Sequence, residues 1–147
     1  MLSEFLSKRQ VEFRDTDAAG IAHFSSLIVF MEQAEHELLR SLGLFVAPHS
    51  VSQASSAAPG FDLKWPRISV EAQFHSPARF EDKLEIYSAI KAIGRSSVTY
   101  SHRIQLFDRA VASGTMRCVC CQAQGGELVS HEIPEPIRQL LNRYVIT

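Results

Sequence analysis

Cysteine is scarce: Cys118, Cys120 and Cys121 are the only ones in 147 residues. An odd count packed into four consecutive positions frames no disulfide scaffold, so a reducing, cytoplasmic setting is expected. Structural zinc sites need separated ligand pairs, and no second cysteine pair exists to supply one. The six histidines, at positions 23, 36, 49, 75, 102 and 131, show no paired ligand spacing either, so no metal is expected. Charge of one sign is also missing: 15 Lys+Arg face 16 Asp+Glu, for a net charge of −1. A nucleic-acid protein needs a basic stripe to neutralise phosphates, and balanced charge offers none. No apolar run approaches the roughly 20 residues of a membrane span. The opening MLSEFLSKR lacks the apolar stretch of a secretory signal. The Gly-x-Ser-x-Gly elbow, the Gly-x-x-x-x-Gly-Lys loop and Gly-x-Gly-x-x-Gly are all absent, which disfavours α/β-hydrolase, P-loop and dinucleotide-binding chemistry.

What remains is an ordinary globular composition, 46% hydrophobic and 21% charged, at a length that predicts one domain over residues 1–147. Residues 10–14 (QVEFR) alternate apolar and polar side chains and read as a short strand. Residues 15–20 (DTDAAG) break that pattern with turn-formers. From about Ser26 to Leu42 the period changes: Leu27, Phe30, Met31, Ala34, Leu38 and Leu42 recur three and four apart, the mark of an amphipathic helix. Ser25 or Ser26 can cap its start and Gly43 its end. Residues 47–60 are rich in Ala, Ser and Pro and read as a surface loop or lid. Strands are expected near 64–74, 83–93, 97–107 and 110–123, with hairpin turns at Gly94-Arg95 and Asp108-Arg109. A short helix should follow Pro134. Short turns force antiparallel neighbours, and the apolar helix face must bury itself on that sheet. The expected class is α+β, a long helix against a five-stranded antiparallel sheet.

The segment from Asp15 to Ser26 concentrates chemistry: two carboxylates, a glycine and a helix start. A helix start offers unpaired N–H groups that favour developing negative charge, so a carbonyl held there is polarised. A nearby carboxylate can then attack it or activate water. Gly20 lets the backbone approach a ligand closely, and His23 stands at the helix start. The competing reading is that Asp15 and Asp17 only organise the turn. His36 and His102 read as structural.

Residues 11–43, VEFRDTDAAGIAHFSSLIVFMEQAEHELLRSLG, resemble the signature of the hotdog-fold acyl-CoA thioesterases, most closely the hydroxybenzoyl-CoA thioesterase family. The resemblance continues in order through Trp65-Pro66, residues 76–86, residues 93–98, residues 111–114 and Ile133-Pro134. It implies a hotdog fold and hydrolysis of an acyl-CoA thioester, with no cofactor beyond the coenzyme A of the substrate. Asp17 matches the family's catalytic carboxylate, as nucleophile or general base. Phe24 falls where a backbone amide polarises the thioester carbonyl. Asp15 matches a variable position and stays structural. Gly94, Arg95 and Ser96 match a turn near which coenzyme A binds, and Arg95 suits phosphate. Trp65 and Pro66 line the acyl pocket or belong to the core.

Many relatives carry Asn and Tyr where Ser26 and Leu27 stand here, and Leu27 with Met31 makes the pocket more apolar. Both an aromatic and an aliphatic acyl group stay open, as does acyl carrier protein in place of coenzyme A. A hotdog dehydratase and a non-catalytic acyl-CoA-binding domain are the alternatives. One helix covers only part of a long sheet, so a homodimer or a tetramer built from two dimers is expected, with Asp17 working beside the partner's Trp65 or Arg95 turn.

Overall fold

A computed structural model describes residues 4–44 and 62–146; the lid expected over 47–60 lies outside them. The main sheet is antiparallel and five-stranded, in the order β1-β3-β4-β5-β2. Its strands are β1 (Phe5–Gln10), β2 (Arg67–Phe74), β3 (Lys83–Ile93), β4 (Ser97–Leu106) and β5 (Arg109–Val119). Helix α1 (Phe24–Ser41) packs on one face of it, and a short α2 (Glu135–Leu141) closes one end. The expected α+β architecture is therefore present.

Helix α1 forms where the three-four spacing placed it, and Leu27, Phe30, Met31, Ala34, Leu38 and Leu42 are all buried. Its first half packs with Leu84, Ile86, Ile104, Ala112 and Met116 of the sheet. Its second half packs with Ile90, Val98, Tyr100 and the α2 residues Ile137 and Leu141. The helix ends as expected at Gly43, whose φ of +77° lets its N–H reach Arg40 O while the Leu44 N–H reaches Leu39 O. It starts earlier than expected. Its first residue is Phe24, and the cap is His23 rather than a serine, with Nδ1 accepting from the Ser25 N–H at 3.1 Å.

Three strand expectations need correction. The strand placed at residues 10–14 is a 3₁₀ turn over Phe13–Asp15, and the strand itself is Phe5–Gln10. The Asp15 carboxylate accepts the Glu12 N–H at 2.8 Å and curls the chain there, leaving Phe13 exposed. The strand expected from residue 64 starts at Arg67, preceded by a single bridge between Lys64 and Cys121. The strand expected over 110–123 stops at Val119, where the Cys120 N–H turns to Ser96 O. A further hairpin, unforeseen, follows: β6 (Cys121–Gln124) pairs with β7 (Glu127–Ser130) through Gly125-Gly126, both at positive φ.

Midway along α1 the core holds charge. The Glu35 carboxylate, 2% exposed, takes the Arg67 guanidinium from β2 at 2.6 Å, with Glu32 also bonding Arg67 at 3.2 Å. Burial works against the Arg67 charge, but Glu35 more than restores it and the guanidinium holds its proton more firmly than a free arginine. The Cys118 thiol lies 3.4 Å from the same guanidinium, and burial and then the Glu35 charge push it up to about 12, so it stays a neutral thiol. His102 is fully buried on β4, its Nδ1 2.8 Å from Ser88 Oγ and its Nε2 without a partner among the described residues. Burial, then the Arg67 charge, lowers its pKa to about 3, so the ring is neutral, as a structural histidine should be.

Candidate active site

The loop from Asp15 to His23 is fixed at both ends. His23 N–H donates to Asp15 O at 2.7 Å, and Ala22 N–H donates to Ala78 O at 2.7 Å. The second bond brings the β2–β3 connection, remote in sequence, against the helix start. Between these anchors Asp17 closes a tight turn: its N–H bonds Ile21 O at 2.8 Å and its carbonyl accepts from Gly20 at 3.0 Å. Gly20 sits at φ +79°, a conformation glycine adopts without strain.

The two aspartates then part ways. Asp15 spends its side chain on the Glu12 N–H, consistent with a structural role. Asp17 Oδ1 accepts from Ala19 N–H at 2.8 Å and weakly from Ile21 N–H at 3.4 Å. Its Oδ2 has no hydrogen-bond partner among the described residues. The carboxylate is oriented through one oxygen and leaves the other available.

A similar vacancy exists at the start of α1. The Ser25 N–H is taken by His23 Nδ1, and those of Ser26 and Leu27 go to His23 O. The Phe24 N–H has no partner among the described residues. Asp17 and Phe24 line one cleft of about 480 Å³ with Ile21, Ala22, Leu27 and Phe74. The Phe24 ring, packed at a tilt against His23 and edge-on to Phe74, forms one wall. Two residues of this largely apolar cleft, Asp17 and Phe24, thus each carry a polar atom unengaged among the described residues. That is the equipment for holding a carbonyl and delivering a nucleophile to it.

A family model described as the thioesterase superfamily matches residues 19–113, a stretch that contains most of this cleft. The chain belongs to the thioesterase superfamily. A 1,4-dihydroxy-2-naphthoyl-CoA hydrolase of Synechococcus is 32% identical over 120 residues, covering 78% of this chain and 75% of its own. An acyl-CoA thioester hydrolase of Escherichia coli, YbgC, is 32% identical over 95 residues, 65% of this chain and 64% of its own. Among solved structures, a 1,4-dihydroxy-2-naphthoyl-CoA thioesterase from Synechocystis superposes with a TM-score of 0.79 over 95% of this chain and 96% of its own. At 20% identity that likeness establishes the hotdog fold alone. Family and relatives together make this protein a thioester hydrolase.

The other expected site residues of this thioesterase are spread over the cleft, the core and the β3–β4 turn. Leu27 lines the cleft. Ser26 turns its hydroxyl to Asp15 O at 2.9 Å and braces the loop. Met31 is fully buried one turn further along α1, in the core beneath the cleft. Trp65 packs against the second core cluster, with Leu38 and Leu42, and Pro66 O accepts the Val119 N–H. Within one chain neither residue lines the Asp17 cleft. Gly94, Arg95 and Ser96 form the β3–β4 turn, with the Gly94 N–H bonded to Ser97 O at 2.8 Å. In the other direction, Phe74, His75, Ser76, Pro77 and Ala78 line the cleft, although nothing in their spacing marked them. Tertiary contacts bring them there, the Ala22–Ala78 backbone bond and the Ile21–Arg79 bridge among them. Among the described residues no cluster of His, Cys, Asp or Glu is arranged to hold a metal ion, and no helix is long and apolar enough to cross a membrane.

Proposed function

We propose that this thioesterase hydrolyses the thioester of an aromatic or aliphatic acyl-CoA, releasing the free acid and coenzyme A. The observation that carries this reading is that Asp17, whose Oδ2 is unengaged, and Phe24, whose N–H is unengaged, line one cleft. The acyl carbonyl binds at the Phe24 amide, where the helix dipole favours the oxyanion. Asp17 either attacks the carbonyl carbon itself, forming a mixed anhydride that water then opens, or takes a proton from the attacking water. Coenzyme A leaves as the thiolate in either case, and the residues present require no cofactor. The apolar walls, Ile21, Leu27, Phe24 and Phe74, take the acyl group. The naphthoyl substrate named for the Synechococcus relative supports an aromatic group of that kind.

The functional unit in this reading is a homodimer, or a tetramer made of two dimers. Strand β2 is a sheet edge whose Val70 and Phe74 are 42% and 48% exposed. Such an edge invites a second copy. Pairing there extends the cleft with residues of the partner, and gives Trp65 and the Gly94–Ser96 turn a place in the site that they lack within one chain. The test is thiol release from a panel of aryl and alkyl acyl-CoA esters and the matching acyl carrier protein esters. Turnover on at least one coenzyme A ester supports the reading, and none across the panel overturns it. Saturable binding without hydrolysis would favour the non-catalytic alternative.

A further inference from the structure

Next to the cleft, the face of β2 and β5 that α1 covers is built of small residues. Phe74, on the cleft wall, pairs with Ala112 of β5. Two residues further along each strand, away from the β2–β3 connection, Ala72 pairs with Gly114, and Gly114 pairs with His102 of β4. Helix α1 keeps step with this row, since Leu27 of the cleft is followed one turn on by the fully buried Met31. A Cβ added at Gly114 would lie 2.9 Å from Met31 Sδ and 2.8 Å from Glu71 O. The Met31 thioether therefore packs on bare backbone, filling space that a side chain on β5 would otherwise take. His102 ends the row. It is fully buried on the helix side of β4 with Tyr100 and Ile104, and its Nδ1 lies 2.8 Å from Ser88 Oγ. Its Nε2 has no partner among the described residues. A buried ring nitrogen left unpaired costs free energy, and calls for a polar group to meet it.

We propose that Met31 is a displaceable plug between the cleft and a deeper acyl subsite, in which His102 Nε2 takes a hydroxyl at the far end of the acyl group. Methionine suits the first part, because its unbranched side chain has three rotatable bonds and can swing aside without backbone movement. A hydroxyl suits the second, because it donates or accepts and so matches either tautomer of the ring. Phe24, where the carbonyl binds in the proposed reading, and Met31 are seven residues apart on α1, about 10 Å of helix. Only an acyl group of about that reach meets His102. Met31 thus selects by length and His102 by the polarity of the acyl end, and neither touches the reacting atoms. The inference rests on the proposed acyl-CoA reading of the cleft.

The experiment measures calorimetric Kd values for ketone analogues of acyl-CoA, in which a methylene replaces the thioester sulfur, so that the carbonyl is kept and nothing is hydrolysed. The acyl chains run from butanoyl to dodecanoyl, each ending in a methyl or a hydroxyl, and every affinity is read relative to the butanoyl analogue on the same protein. A wholly apolar site would weaken every hydroxylated member of the series. The expected result for the wild type is the reverse at one chain length, near decanoyl, where the hydroxyl binds about five- to tenfold tighter than the methyl, the gain of one net hydrogen bond. His102→Phe loses this peak, and His102→Gln, which keeps a polar side chain, retains part of it. Met31→Ala raises the relative affinity of the long chains by about threefold, the cost of forcing one side chain from its rotamer. The inference is overturned if the hydroxyl improves wild-type binding at no chain length, a result that needs no variant to fold. It is also overturned if His102→Phe keeps the peak, or if Met31→Ala leaves the relative affinities of the long chains where they were. Because these are binding measurements, a thioester panel without turnover would defeat the proposed hydrolysis while a His102-dependent hydroxyl preference left the subsite standing.

Discussion

Two carboxylates, one within helix α1 and one just before it, are treated in opposite ways. Glu35, in the middle of the helix, is buried with both oxygens held by Arg67 at 3.4 and 2.6 Å. Asp17, just before the helix, has one oxygen fixed by its own turn and the other unengaged among the described residues. A buried charge needs its partner, because desolvation is costly and only close pairing offsets it. A group that must exchange a proton or attack a carbon needs the reverse: a fixed direction and a vacant lone pair. The more strongly bound carboxylate is the one with less chemistry left to it. The helix start reinforces the contrast, since Phe24, whose N–H is unengaged among the described residues, lines the same cleft as Asp17.

The largest stability effect should come from breaking the buried pair. Arg67→Ala leaves Glu35 charged and unpaired, and should cost about 3–5 kcal/mol in urea unfolding. Replacing both residues by apolar ones, Glu35→Leu with Arg67→Met, should recover most of that loss if pairing is the sole function of this site. Next comes pH. His102 has a folded pKa near 3, below its usual range, so the unfolded chain binds a proton that the native chain refuses. Its contribution is complete above about pH 6.5 and is lost as the pH falls toward 3. Between pH 7 and pH 5 the His102 proton should remove on the order of 2 kcal/mol, and His102→Gln should flatten that part of the unfolding profile. The smallest effect is at the helix stop: Gly43→Ala puts a Cβ at φ +77° and should cost about 1 kcal/mol without altering turnover.

The contrast between the carboxylates also explains what could be read from sequence. Helix α1 was legible because its buried positions are apolar at helical spacing, and β4 because Val98, Tyr100, His102 and Ile104 alternate with half-exposed polar neighbours. Strand β1 was not, because its inward residues include Ser7 and Arg9, and Arg9 is satisfied by Gln33 and Glu37 of α1 rather than by apolar packing. Charge that is paired through tertiary contact leaves no periodic trace. The Glu35–Arg67 pair was invisible for the same reason, since its members are 32 residues apart. In the candidate site, Asp17, Phe24 and Leu27 lie on one local segment, which the family resemblance marked; from chemistry alone Asp17 stood open between attack and turn-making. Phe74 through Ala78 were not legible, because tertiary contacts such as Ala22–Ala78 and Ile21–Arg79 bring that segment over.

The most direct test compares thiol release by Asp17→Asn and Glu35→Gln on the best acyl-CoA substrate, at saturation, with each variant's unfolding midpoint measured alongside. The account predicts that Asp17→Asn lowers kcat by about 10²–10⁴-fold with little change in midpoint. Glu35→Gln should lower the midpoint and leave kcat within about threefold where the protein remains folded. Wild-type kcat in Asp17→Asn would contradict the account.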